Sequence, residues 1–214
     1  MSKAFFVSGI DTGIGKTYAT GYLAKTWNEQ GIKTITQKFI QTGNINSSED
    51  IEKHREIMEC GTLKEDISKL TMPEIFTYPA SPHLASAIDG RDINFDKIQH
   101  ATQALSNDYE CVLLEGAGGL MVPLTKDYLT IDYLVDQAYP VILVSSGRLG
   151  SINHTLLSLE ALKAKGIELY ALAYNLADES KDAVISRDTA DYLKNYLFKN
   201  FPNAKWIDIP KFEN

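Results

Sequence analysis

The sequence predicts an α/β domain in which a mainly parallel β-sheet is covered by helices on both faces. Three observations predict it. Continuous apolar runs of strand length recur along the chain, helical patterns alternate with them, and the first run passes through a glycine-rich turn straight into a helix. Strands buried on both faces need continuous apolar residues, and parallel neighbours need right-handed crossovers, which the intervening helices supply.

The elements follow in order. Ala4-Phe5-Phe6-Val7 is the first strand, ended by Ser8-Gly9, and Lys16 to Gln30 is a helix with Ala19, Leu23 and Trp27 on one face. Thr34-Ile35-Thr36 is the second strand, and a polar helix from Ser48 to Glu59 follows. Thr71 to Arg91 carries Pro73, Pro79, Pro82 and Gly90 and reads as an irregular functional loop. Phe95 to Leu105 is helical, and Cys111-Val112-Leu113-Leu114 and Val141-Ile142-Leu143-Val144 are strands. Asn153 to Lys165 is a helix with Leu156, Leu157, Leu159 and Leu162. Leu169 to Tyr174 is the next strand, and Trp206-Ile207-Asp208-Ile209 is the weakest of the set. Ligands of such sheets gather at the carboxyl ends of the strands.

At roughly 150 residues per domain, 214 residues predict one domain spanning 1–214. An apolar content of 44% can supply its core without staples. Cys60 and Cys111 have no ligand spacing between them, which points to a reduced compartment, the cytoplasm, and away from zinc or disulfides. Met1 to Val7 is too short for a signal segment, and no apolar run approaches the roughly 18 residues of a membrane span. Lys plus Arg number 21 against 28 Asp plus Glu, a net −7 that disfavours nucleic acid as a partner.

Gly9-Ile10-Asp11-Thr12-Gly13-Ile14-Gly15-Lys16-Thr17 lies between the first strand and the first helix. A phosphate chain needs inward-turned N–H groups, which glycine permits, and the helix N-terminus adds a favourable dipole. The segment Gly13-Ile14-Gly15-Lys16-Thr17-Tyr18 therefore reads as the nucleotide cradle of a P-loop NTPase, with Lys16 on the β- and γ-phosphates and the Thr17 hydroxyl on magnesium. Five residues separate Gly9 from Gly15, one more than in the common motif.

Glu115 follows the strand Cys111 to Leu114 and opens Glu-Gly-Ala-Gly-Gly. A carboxylate there needs a partner, and magnesium is the natural one in a P-loop protein; a loop-capping acid is the plainer alternative. The following glycines, Gly118 among them, let the backbone approach substrate or phosphate. Lys38 ends the second strand and emerges on the phosphate-loop edge, where it is either a solvated charge or a second cation of the site. Asp50, near the start of the polar helix, reads on its own as a cap or dipole partner. His83, in Ser81-Pro82-His83, serves structure as readily as chemistry.

Taken together these segments resemble the dethiobiotin synthetase family. The lengthened loop Gly9 to Thr17, the lysine-centred Gln37 to Gly43, Ser81-Pro82-His83, Glu115 to Gly119 and Leu149-Gly150-Ser151-Ile152-Asn153-His154-Thr155-Leu156-Leu157 occur in the family's order. The resemblance implies an ATP- and magnesium-dependent ring closure in biotin biosynthesis: 7,8-diaminononanoate and carbon dioxide give dethiobiotin, ADP and phosphate through a carbamate and a carbamic-phosphoric anhydride. It implies Lys38, Lys16 and Thr12 as catalytic groups, with Lys38 on the γ-phosphate and carbamate. Thr12 and Thr42 would hydrogen-bond around the carbamate, with Gly118 beside the substrate. Magnesium falls to Thr17, Asp50 and Glu115, and the adenine to Asn175. It also implies a homodimer, with the diamine carboxylate held by the partner's Gly150 to Asn153 at a helix N-terminus; a plain glycine-started helix is the alternative reading of that segment.

Two features depart from the family. Lys211-Phe212-Glu213-Asn214 is all that follows Pro210, where relatives continue along the adenine, so weak discrimination between ATP and other nucleoside triphosphates is expected. Asn175 precedes an acidic stretch, Leu176-Ala177-Asp178-Glu179. The alternative function is a nucleotide-switched P-loop ATPase acting on protein partners, whose signature lysine would stand where this chain has Asp11. A small-molecule kinase would need an arginine-rich lid, and Arg55, Arg91, Arg148 and Arg187 are scattered.

Overall fold

Successive side chains of β1 (Lys3–Gly9) point to opposite faces of the sheet, so its apolar run feeds two cores. Phe5 and Val7 join Ala19 and Leu23 of α1 (Lys16–Glu29) on one side. Phe6 joins the opposite layer, which holds Leu159 and Leu162 of α7 (Ser151–Ala164) and Leu193 and Leu197 of α8 (Ala183–Asn200). This computed structural model describes residues 3–178 and 182–211. Glu179, Phe212, Glu213 and Asn214, on which two of the sequence expectations bear, lie outside the described residues.

The main sheet has the order β2 (Thr34–Lys38), β5 (Cys111–Gly119), β1, β6 (Val141–Ser146), β7 (Leu169–Asn175), β8 (Lys205–Ile209), and every pairing is parallel. Helices cover both faces, as the sequence predicts. In register, Lys38 lies beside Glu115, so the lysine and the acid reach the same sheet edge. A second, two-stranded parallel sheet joins β3 (Gln41–Thr42) to β4 (Ile75–Phe76).

Three expectations are corrected. Thr71 to Arg91 is not one irregular loop: it holds β4 and the helix α4 (Pro82–Asp89), because Pro82 occupies the first helical turn, where a missing N–H costs nothing. The strand expected to end at Leu114 runs on: Glu115 to Gly119 is the extended continuation of β5. The helix expected from Asn153 starts at Ser151, capped by Gly150 at φ 96°. Neither α6 (Thr130–Gln137) nor α8 is among the expected helices: α6 has only eight residues, and α8 buries only Thr189, Leu193 and Leu197 of its eighteen. Among the described residues no helix is long and apolar enough to cross a membrane.

α2 (Glu49–Met58) starts at Ser48, whose hydroxyl accepts from the Ile51 N–H at 3.2 Å. It is tied down by Arg55, which donates to Asp66 through Nε at 2.9 Å and Nη2 at 2.8 Å, and to the Thr36 hydroxyl at 2.9 Å. Both partners are buried. Burial pushes the Asp66 carboxyl up, but the Arg55 hydrogen bonds and the Leu63 N–H outweigh it and hold it below its ordinary value. A depressed carboxyl stabilises the fold above its unfolded pKa and ceases to as pH falls through the folded one. Asp66→Ala strands the guanidinium and is expected to cost about 3–5 kcal/mol, lowering Tm by on the order of 10 °C. Calorimetry at neutral pH checks this, and the difference from the parent should shrink on strong acidification.

Candidate active site: a phosphate loop facing two buried acids

The loop from Gly9 to Gly15 turns the chain from β1 into α1. Gly15 caps the helix at φ 94°, and a Cβ on it would meet Asn175 Nδ2 at 2.3 Å, so both the backbone angle and the space require glycine. The Asn175 amide fastens this turn: Nδ2 donates to the Ile14 carbonyl at 2.9 Å, and Oδ1 accepts from the Ala177 N–H at 3.0 Å. Beyond the cap, the first amides of α1 have no acceptor within the helix. This is the geometry that binds phosphate oxygens.

Below the loop lies a cluster of charge. Thr17 Oγ1 donates to Asp50 Oδ1 at 2.7 Å and lies 3.2 Å from Glu115 Oε1. Lys38 Nζ donates to Glu115 Oε1 at 2.8 Å and to the Gly116 carbonyl at 3.3 Å, and it is ion-paired to Asp50. One hydroxyl, two carboxylates and one ammonium thus meet at a point assembled from α1, β2, α2 and β5. Lys16 Nζ donates to the Asp11 carbonyl at 3.2 Å, and among the described residues it forms no ion pair. Asp11 itself is paired with Arg148, which ties the loop to the segment before α7.

Burial opposes charge at each of these groups, and their partners decide the outcome. Burial pushes the Glu115 carboxyl up, yet Lys38 and the hydrogen bond from His54 outweigh it and hold the acid far below the usual carboxylate range. Burial likewise pushes the Lys38 ammonium down, and Glu115 with Asp50 outweighs it, so its pKa is raised. At Lys16 burial prevails over the attraction of Glu115, with Lys38 adding repulsion, and the pKa is lowered. At neutral pH the acid is an anion and Lys38 a cation, whereas Lys16 lacks the counter-charge that phosphate oxygens would bring.

A cavity of about 680 Å³ opens over this cluster. Of the residues singled out in the sequence, it brings together Thr12, Gly13, Gly15, Lys16, Thr17, Tyr18, Lys38, Thr42, Asp50, Glu115 and Gly118. Ile14 is buried beneath the loop, and Asn175 holds the loop from behind; neither lines the cavity. Gly150 and Asn153 do not line it either. Sequence reasoning missed Gln41, Pro79 and Ala80 in the wall and left Ser81 and Pro82 without a role there. His83 stands behind Ser81, with Nδ1 3.0 Å from its hydroxyl. The buried His54, whose Nε2 lies 2.6 Å from Glu115 Oε2, was missed altogether, although its spacing of four from Asp50 on a helix carried the signal.

Thr17, Asp50 and Glu115 present hard oxygen donors at one point, and the Lys38 ammonium held between the two carboxylates shows that the point stabilises positive charge. Such a set fits a small divalent cation that also takes phosphate oxygens.

The family described as AAA domain matches residues 3–197. The chain is 51% identical to the ATP-dependent dethiobiotin synthetase BioD 2 of Pasteurella multocida over 95% of each chain. It is 47% identical to the enzyme of that name from Haemophilus ducreyi, over 97% of this chain and 98% of the other. Among solved structures, the MinC:MinD cell division protein complex of Aquifex aeolicus superposes with a TM-score of 0.57 at 16% identity, covering 99% of this chain and 82% of that one. The signal recognition particle receptor FtsY of Elizabethkingia anophelis gives 0.54 at 17% identity, over 99% of this chain and 58% of its own length. Those two likenesses concern the fold.

Proposed function

The chain belongs to the ATP-dependent dethiobiotin synthetase family, and from that premise we propose how its own residues close the ureido ring of dethiobiotin. As an ATP-dependent ligase of biotin biosynthesis it must join two amines through one carbon. One amine of 7,8-diaminononanoate adds to carbon dioxide and loses a proton, giving a carbamate. A carbamate oxygen attacks the γ-phosphorus of ATP and ADP departs. The second amine then attacks the carbonyl carbon of the anhydride, phosphate leaves, and the ring closes.

Negative charge gathers on carbamate and γ-phosphate together, so positioned cations lower the barrier more than a protein nucleophile would. Lys16 takes the β- and γ-phosphates, and the amides of Gly13, Ile14, Gly15 and Lys16, with Tyr18 beside them, cradle the chain. Thr12, Thr42 and Gly118 surround the carbamate. Thr17, Asp50 and Glu115 would hold magnesium, which would supply neutralisation of the phosphate charge. Glu115 and Asp50 also fix the Lys38 ammonium at the floor of the cavity, where it would face the γ-phosphate and carbamate. The observation that carries this reading is the convergence of Lys38, Asp50, Glu115 and Thr17 at 2.7–3.2 Å, beneath a cavity that Lys16 and Thr12 also line.

The active unit in this reading is a cytoplasmic homodimer acting on small molecules, not on nucleic acid or membrane. Gly150 and Asn153 are absent from the cavity wall, and Leu149 beside them is 85% exposed, which supports their serving the substrate carboxylate of a second copy. Asn175 keeps one lone pair of Oδ1 for the adenine while it holds the loop.

Phosphate release from ATP with magnesium and bicarbonate, followed together with dethiobiotin by mass spectrometry, tests the proposal. Release is expected to depend on the diamine, with one phosphate per dethiobiotin. ATP hydrolysis indifferent to the diamine would overturn it in favour of a nucleotide switch.

A further inference from the structure

Glu115 uses its two oxygens for different purposes. Oε1 meets Lys38 at 2.8 Å and Thr17 at 3.2 Å, whereas Oε2 accepts from His54 Nε2 at 2.6 Å. His54 is fully buried at 0% exposure and does not line the cavity. Its Nδ1 is buried with no hydrogen-bond partner. A proton on that nitrogen would be an unsatisfied buried N–H, costing about 1–3 kcal/mol, whereas a proton on Nε2 is donated to Glu115.

α2 puts the ring there. Asp50 and His54 are four residues apart and share one face of the helix, so a single face delivers one acid to Thr17 and Lys38 and orients the other acid from behind. Arg55, the next residue, locks the helix to Asp66 and Thr36. The terminal torsion of a glutamate is broad, so a carboxylate bonded on one oxygen alone can swing. With Oε2 held, it cannot.

We propose that His54 is a positioning residue for the reaction, holding Glu115 by Oε2 so that Oε1 stays turned to Thr17 and Lys38. The inference rests on the reading of Glu115 as a magnesium ligand. Partners behind a metal ligand commonly contribute about 10- to 100-fold in metal affinity or activity.

The test uses the full chain with His54→Leu, which fills the space without a donor, His54→Gln, which keeps a donor near Nε2, and Glu115→Gln. Mn²⁺ binding in the presence of ADP is read by electron paramagnetic resonance, beside ADP affinity without metal and the magnesium concentration at half-maximal turnover. His54→Leu is expected to weaken Mn²⁺ by about 10- to 100-fold and to raise the magnesium requirement equally, with metal-free ADP affinity unchanged and His54→Gln restoring most of the loss. If His54→Leu does not fold, His54→Met, which also lacks the donor, takes its place. Normal Mn²⁺ affinity in the donorless variant while Glu115→Gln loses it overturns the positioning role. So does a loss that His54→Gln fails to restore. Normal affinity in Glu115→Gln as well overturns Glu115 as the ligand.

Discussion

Lys38→Ala is expected to lose about two to three orders of magnitude in turnover while ADP affinity changes by no more than a few-fold. The ammonium is buried at 5% exposure, its charge is fixed by Glu115 and Asp50, and in the proposed reaction it stands where the transferring phosphoryl group and carbamate concentrate negative charge. A charge needed mainly in the transition state shows in kcat, and loss of one such preorganised donor costs about 100- to 1,000-fold. The substitution has a second, independent consequence. Lys38 is the leading influence that holds the Glu115 carboxyl down against burial, so without it that pKa rises. In the parent, Glu115 stays ionised well below its ordinary value, and acid does not neutralise it until the pH falls through the depressed pKa. In the variant, residual activity should therefore fail at a higher pH as acid is added. Steady-state phosphate release and calorimetric ADP titration separate the two effects, and near-normal turnover would remove Lys38 from the chemistry.

Lys16→Ala is expected to behave differently, losing nucleotide affinity as well as rate. Lys16 opens α1 directly after the capping Gly15, donates to the Asp11 carbonyl at 3.2 Å, and has no carboxylate in ion-pair contact among the described residues. Burial lowers its pKa, and phosphate oxygens would supply the missing counter-charge in both the ground state and the transition state. Deleting a hydrogen bond to a charged group costs about 1.5–3 kcal/mol, so ADP affinity should fall by about 10- to 100-fold. Turnover at saturating ATP should fall as well, because in the proposed arrangement the γ-phosphate loses a cation. ADP binding as tight as the parent's would place the lysine outside the phosphate site.

Much of this site was legible before any coordinates. Glycine-lysine-threonine between a strand and a helix has few physical uses, so Gly15, Lys16 and Thr17 were readable from local sequence, and β2 ending in Lys38 placed that lysine at the same sheet edge. Glu115 was readable because an acid ending an apolar strand needs a partner. The metal role proposed for Asp50 rests on family resemblance, since an acid in a first helical turn is ordinary. His54 is only half legible: its spacing of four from Asp50 puts both on one helix face, but which carboxylate that face meets is set by tertiary packing. Pro82 misleads, because the property that breaks helices in their interior suits their first turn, whereas Pro79 and Ala80 before it are irregular chain that lines the cavity. α8 escaped because its buried positions, Thr189, Leu193 and Leu197, form a narrow stripe on a largely polar helix.

The central claim is that Lys16 and Lys38 serve the phosphorylation of a carbamate and not the hydrolysis of ATP by water. It is tested most directly by following the oxygen of carbon dioxide. With freshly prepared ¹⁸O-labelled carbon dioxide, the diamine and ATP in a single turnover, the carbamate oxygen that attacks the γ-phosphorus leaves with phosphate when the ring closes. Each dethiobiotin formed should therefore be matched by one phosphate carrying a single ¹⁸O, with label also in the ureido carbonyl. Unlabelled phosphate accompanying labelled dethiobiotin would contradict the account.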